Sequence, residues 1–331
     1  MANHFQNFHA LVVGVGFYIN RAFSPLPATI NDAEDLYKAL LEHGYHPANV
    51  RLLTSEEATL RQMRDELSHL SSIQGGGSTV LIFFSGHGWR PANAADEDSH
   101  SHQGYLCLRE ADLLDMEGTS LSAEEFSRAL CAIKAERIVV ILDCCHANGT
   151  AQIKLVGSDM RWKSGLSEAV YQTLSQGGGR VIIASCKEDE QSYIRMRGDN
   201  SVFTYYFVEA LRSGASSDGF IRIVDIFDKA AQEVTRAVRT LAQATGEDCR
   251  QTPILKAEVQ SNFPIAFDEH RGQHGEDGAI QSPATPQPSA TFINRGDNHG
   301  VQVNVGKHDG PSYTATTMNF GMGGKKSDNT Q

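Results

Sequence analysis

The chain has 331 residues, 40% of them hydrophobic and 21% charged, which suits a globular protein of one large domain or two small ones. Its net charge of -11 argues against a general nucleic-acid binder, because a phosphate backbone calls for a basic surface. Six cysteines without disulfide-framework spacing, an opening MANHFQNF that lacks a basic region followed by an apolar core, and no apolar run near the ~20 residues of a membrane helix together predict a cytoplasmic protein with free thiols.

HALVVGVG (9–16) reads as a short apolar strand. ATINDAEDLYKALLEHG (28–44) repeats Ile30, Ala33, Leu36, Tyr37, Leu40 and Leu41 at helical spacing and stops at Gly44. NVRLLT (49–54) is a strand and TLRQMRDELSHLSSI (59–73) an amphipathic helix. STVLIFFSGHG (78–88) is a buried strand ending in a glycine-flanked histidine, and YLCLREAD (105–112) alternates as an edge strand or hairpin. SAEEFSRALCAI (122–133) opens with Ser122 and two acids, a sound helix start. RIVVILDCC (137–145) and GRVIIASC (179–186) are buried strands, each followed by an irregular stretch, 147–166 and 187–201. Helices over 203–214 and 223–246 and a last strand at 253–259 complete the pattern. Continuous apolar strands between helices predict an α/β fold, a mostly parallel central sheet with helices on both faces.

In such sheets ligands bind beyond the carboxyl ends of the strands, where both SGHG and DCCH fall. Asp143-Cys144-Cys145-His146 admits a metal site, a redox pair or a nucleophile. Adjacent side chains leaving a strand do not all reach one ion, and no second cluster is visible, which disfavours zinc. Vicinal cysteines make a strained bridge at best, and a redox pair usually reads C-x-x-C. GVGF (14–17) lacks the third glycine of a dinucleotide fingerprint, and GGGST (75–79) lacks the lysine of a phosphate loop, so both read as turns. His87 is expected to be catalytic rather than a core histidine, because Gly86 and Gly88 clear the space around it at the end of VLIFF.

INDAEDL (30–36), FFSGHG (83–88) and LDCCHA (142–147), in that order and on those elements, resemble the caspase and metacaspase family of cysteine peptidases. VFTYYFVEALRSG (202–214) resembles the start of that family's small-subunit region, so the likeness covers roughly residues 9–260. The resemblance implies a caspase-like fold, Cys145 as nucleophile with His87 as its acid–base partner, and an oxyanion held by the N–H groups of Gly88 and Cys145. Asp-specific relatives carry an arginine where this chain has Leu26, whereas Asp32, Ser85 and Asp143 match the acidic P1 pocket of the metacaspase branch. The expected activity is endopeptidase cleavage after Arg or Lys, in regulated proteolysis or cell death. The alternative is a catalytically silent adaptor.

No cofactor is needed for that chemistry. Asp96, Glu97 and Asp98 are oxygen ligands of the kind calcium takes, so Ca2+ is admitted as an activator, against the plainer reading of a solvated acidic loop. Lys154, Arg161 and Lys163, or Arg195 and Arg197, offer self-cleavage sites to an enzyme of basic preference. The domain is expected over 1–266, a Gly- and Pro-rich linker over 267–290, and a low-complexity tail over 291–331. The tail holds three echoes, FINRG, VQVNVG and MNFG, that look like short amyloid signalling motifs; a plain disordered tail is the competing reading. Partners follow: protein substrates, and an upstream sensor or further copies of the chain through the tail, with neither nucleic acid nor membrane.

Overall fold

The computed structural model describes residues 7–73, 76–91, 103–144, 162–214, 217–259, 261–268, 290–294 and 301–305, with 162–164 and the last two segments given through their backbone. In chain order the elements are β1 (Phe8–Gly14), α1 (Ala28–Glu42), β2 (Val50–Thr54), α2 (Leu60–Ser72), β3 (Thr79–Ser85), β4 (Gly88–Pro91) and β5 (Tyr105–Leu106). They continue with α3 (Met116–Thr119), β6 (Leu121–Ser122), α4 (Ala123–Ala132), β7 (Arg137–Asp143), β8 (Trp162–Ser164), α5 (Glu168–Leu174) and β9 (Arg180–Ala184). The rest are α6 (Val202–Ser213), β10 (Phe220–Arg222), α7 (Ile223–Thr245), β11 (Ile254–Val259), β12 (Pro264–Phe267), β13 (Ala290–Asn294) and β14 (Val301–Val305).

One sheet orders its strands β14-β13-β11-β9-β7-β3-β1-β2. From β2 to β9 the neighbours are parallel, and β11 joins β9 antiparallel. Every residue of β3 is buried, as continuous apolar strands covered on both faces require. On one face lie α1, α6 and α7, which contribute Leu36, Leu40, Phe203, Phe207, Phe227 and Val234 to a common core. On the other, α2, α4 and α5 bring Met63, Leu67, Phe126, Leu130 and Val170 onto the sheet. The interior of α7 repeats Ile223, Ile226, Phe227, Ala230, Val234 and Val238, the spacing of a helix laid on a core. Gly14 is fixed by the approach of α1: a Cβ there would stand 2.3 Å from the Thr29 carbonyl oxygen.

The apolar runs predict the central strands and long helices well. Three features escaped them. YLCLREAD contributes only the two-residue β5, which joins a separate sheet of order β6-β5-β4-β8. The stretch read as aperiodic contains β8, and α5 follows it, capped by Ser167. A small antiparallel pair, β10 with β12, lies outside the predicted pattern. In the tail the first two echoes overlap β13 and β14, which pair with each other and continue outward from β11; MNFG lies outside the described residues.

Candidate active site

The parallel register sets Gly14 beside Ser85 and Ser85 beside Asp143, so three strands end level. Over these ends runs the first turn and a half of α1, which places Asp32 against them. Asp32, Ser85 and Asp143 are all fully buried. Ser85 donates its hydroxyl to Asp32 Oδ2 at 3.0 Å, and the Ser201 N–H donates to Asp32 Oδ1 at 2.9 Å. Asp143 accepts the hydroxyl of Ser192 on Oδ1 at 2.7 Å, and those of Ser201 and Thr204 on Oδ2.

Ser201 thus touches both acids, one through its backbone and one through its side chain. It is also the N-cap of α6, its Oγ accepting the Thr204 N–H at 3.0 Å. A helix N-terminus favours negative charge, which offsets part of the cost of burying two carboxylates together. The remainder shows in Asp32: burial, then the neighbouring Asp143 charge, push its carboxyl well above the usual range. Ser192 is itself oriented by Gln251, whose Nε2 donates to Ser192 Oγ and to the Ser185 carbonyl.

His87 follows β3 directly and is buried. Its backbone N–H donates to the Tyr18 hydroxyl at 2.8 Å, and its ring lies 5.0 Å from that of Tyr18 and 5.8 Å from that of Phe23. Its Nε2 stands 2.9 Å from the Ser24 carbonyl oxygen. A carbonyl only accepts, so Nε2 carries the ring proton in this contact, which leaves Nδ1 the acceptor nitrogen of the neutral ring. The Tyr18 phenol is raised well above its ordinary value by burial, which keeps it a neutral partner for the imidazole loop.

The Gly88 N–H, expected at an oxyanion pocket, is given in this structure to the Cys144 carbonyl at 3.1 Å. The same closeness explains the glycine: a Cβ at 88 would lie 2.9 Å from that oxygen. Cys145 lies outside the described residues, as do Asp96, Glu97, Asp98, Lys154 and Arg161. Of the other basic residues proposed for self-cleavage, Arg195 is paired with Asp199 at 3.0 Å and stacked on Tyr205, whereas Arg197 is exposed. Among the described residues no three His, Cys, Asp or Glu side chains gather as a metal site, and no helix is long and apolar enough to cross a membrane.

The structure therefore brings Asp32, Ser85 and Asp143 into one cluster and sets His87 two residues past Ser85, beyond the end of β3. Sequence reasoning missed Tyr18, Ser24, Ser192, Ser201, Thr204 and Gln251. Only Ser201 carried a local signal, a Ser just before a helical run with Thr three residues on.

Comparison with known proteins identifies the family and the fold. The chain is 24% identical over 264 residues to Metacaspase-1 of Arabidopsis thaliana, covering 72% of the chain and 65% of that relative. It is 24% identical over 148 residues to Metacaspase-4 of the same plant, covering 42% and 33%. The matches thus span less than two thirds of either relative. Among solved structures, Caspase-1 from Spodoptera frugiperda superposes with a TM-score of 0.53 at 12% identity, covering 81% of this chain and 94% of that one. A Geobacter sulfurreducens protein gives 0.52 at 16% identity, covering 80% and 98%. The family model for the caspase domain matches residues 7–264, most of the described fold, and the chain belongs to the caspase-domain family of peptidases.

Proposed function

We propose that the chain is a cysteine endopeptidase that cleaves after Arg or Lys, with Cys145 as nucleophile and His87 as its acid–base partner. The observation that carries the preference is the buried pair Asp32 and Asp143, bridged by Ser201 beside the His87 loop. A guanidinium is planar and carries five donors, so it matches two converging carboxylates better than any neutral side chain. Burial first and the Asp143 charge second raise Asp32, and entry of that cation would relieve the second.

The chemistry then runs in two stages. The Cys145 thiolate attacks the carbonyl carbon of the P1 residue, and the C–N bond breaks as His87 Nδ1 delivers a proton to the leaving amine. Water, losing a proton to the same nitrogen, hydrolyses the thioester and restores the thiolate. Ser24 holds the ring by Nε2 throughout. For Gly88 to serve the oxyanion, its N–H has to turn from the Cys144 carbonyl; such a donor is worth about 10²–10³ in rate.

Family membership supports roles in regulated proteolysis and cell death in the cytoplasm, with self-cleavage as the activating event. Exposed Arg197 suits self-cleavage better than Arg195. The pairing of β13 with β14 supports the tail as an assembly segment.

The deciding experiment is cleavage of paired fluorogenic peptides, P1 Arg and P1 Asp, by wild type and Cys145→Ala, with and without calcium. Arg cleavage that vanishes in the variant is the expected result, and dependence on calcium would assign Asp96, Glu97 and Asp98 a role. Cleavage of the Asp peptide alone overturns the pocket assignment. Silence toward both peptides favours the adaptor reading.

A further inference from the structure

Strand β7 lies between β3 and β9, so the segments that leave β3 and β9 flank the end that runs on into Cys145. The first of these segments carries His87 and then β4; the second carries Ser192 and Ser201. Side chains alternate along β4. Trp89 turns into a satellite core, edge-on to Phe23 at 6.0 Å, which leaves Arg90 on the face where Gly88 meets Cys144. Arg90 is buried at 8% exposure, and its Nη1 stands 2.6 Å from Glu188 Oε1, with Nη2 3.4 Å from the Glu188 carbonyl oxygen. The other carboxylate oxygen, Oε2, accepts the Glu168 N–H at the start of α5. One ion pair therefore ties the histidine segment to the segment that dresses the acid pair, across the end of β7.

The guanidinium is buried while the Glu188 side chain stays 41% exposed, so the pair adds little stability of its own and is better understood through what it holds in place. We propose that Arg90 is a positioning residue of the peptidase proposed above. Through Glu188 it sets the span between the dyad and the P1 pocket, so that a side chain seated on Asp32 and Asp143 presents its carbonyl at the dyad. Arg90 itself touches neither acid. Loss of the clasp leaves the pocket and the imidazole intact but out of step, and a misplacement of about 1 Å costs on the order of 10²-fold in rate.

The test uses the full chain with Arg90→Met, Arg90→Lys, Glu188→Gln and the Met/Gln double variant. Three quantities are read: kcat and KM on a P1 Arg peptide, Ki for benzamidine (a cation that reaches only the pocket), and Tm. The expected result is a kcat lowered about 10- to 100-fold, an unchanged benzamidine Ki, and a double variant no worse than the worse single one. Arg90→Lys keeps the charge but loses the fork, and falls between. Losses that add, or a Ki and Tm that worsen together with kcat, reduce Arg90 to ordinary structural support and overturn the proposal. So does wild-type activity in every variant. If wild type cleaves neither peptide, the peptidase reading fails and the positioning role falls with it.

Discussion

His87 lies just past β3 and Asp143 ends the neighbouring β7, with Asp32 laid over them from α1, yet the imidazole and the acid pair are held by different means. The imidazole sits against the rings of Tyr18 and Phe23; its backbone N–H donates to the Tyr18 hydroxyl and its Nε2 meets the Ser24 carbonyl. The acids rest on the side-chain hydroxyls of Ser85, Ser192, Ser201 and Thr204 and on one backbone N–H. The Ser24 carbonyl survives a side-chain substitution at that position, and ring packing tolerates the loss of the Tyr18 hydroxyl. A hydroxyl-held group is exposed to single mutations, since each lost donor leaves a buried carboxylate oxygen short.

The largest effect is expected on the acid side. On the proposed pocket for a basic P1 residue, Asp32→Asn removes one of the two acids and should cost about 2–4 kcal/mol of transition-state binding, roughly 30- to 1,000-fold in kcat/KM. Stability should move the other way. Burial and Asp143 hold the Asp32 pKa above the ordinary 3.8, so between those values the folded chain binds more protons than the unfolded chain. Wild-type stability therefore falls as pH climbs from near 4 through that window. Asn cannot ionise, so the variant should match wild type near pH 4 and melt higher at pH 7. A variant that melts lower at pH 7 than at pH 4, relative to wild type, would refute the burial argument.

A smaller effect separates a helix cap that also serves the pocket from one that does not. Ser201→Ala removes a cap and a carboxylate donor at once, and should destabilise by about 2–4 kcal/mol. Ser122→Ala removes only the cap on α4, whose Oγ accepts the Glu125 N–H, and should cost about 1 kcal/mol. Equal losses in urea unfolding would show that the Ser201 hydroxyl contributes nothing through Asp143. The smallest effect belongs to the histidine side. Tyr18→Phe keeps the ring and deletes the acceptor of the His87 N–H, so kcat should drop less than about tenfold, in line with one ordinary hydrogen bond. A drop beyond a hundredfold would mean that the phenol does more than hold the loop.

The same contrast governs what could be read from the chain beforehand. Asp32, Ser85 and Asp143 could be gathered in advance by the family resemblance of their motifs, and the parallel register, which sets Ser85 beside Asp143, brings the two strand ends level. Ser192 and Gln251 could not, since their partners lie 49 and 59 or more residues away and no period marks them. The small sheet of β4, β5, β6 and β8 was equally invisible: two- to four-residue strands are too short to show alternation.

That dispersal has a consequence for how the protein is made. His87 and Cys145 are both synthesised before any of Ser192, Ser201, Thr204 and Gln251 exists. At about 5–20 residues per second, Gln251 leaves the ribosome roughly 5–20 s after Cys145. Until Thr204 is made, 59 residues after Cys145, the nascent chain holds a thiol and an imidazole but lacks the Ser192, Ser201 and Thr204 hydroxyls that help keep two carboxylates buried side by side. The pocket proposed for basic residues is thus completed only after His87 and Cys145 have both been made, and a ribosome that stalls before Ser192 releases a fragment without it.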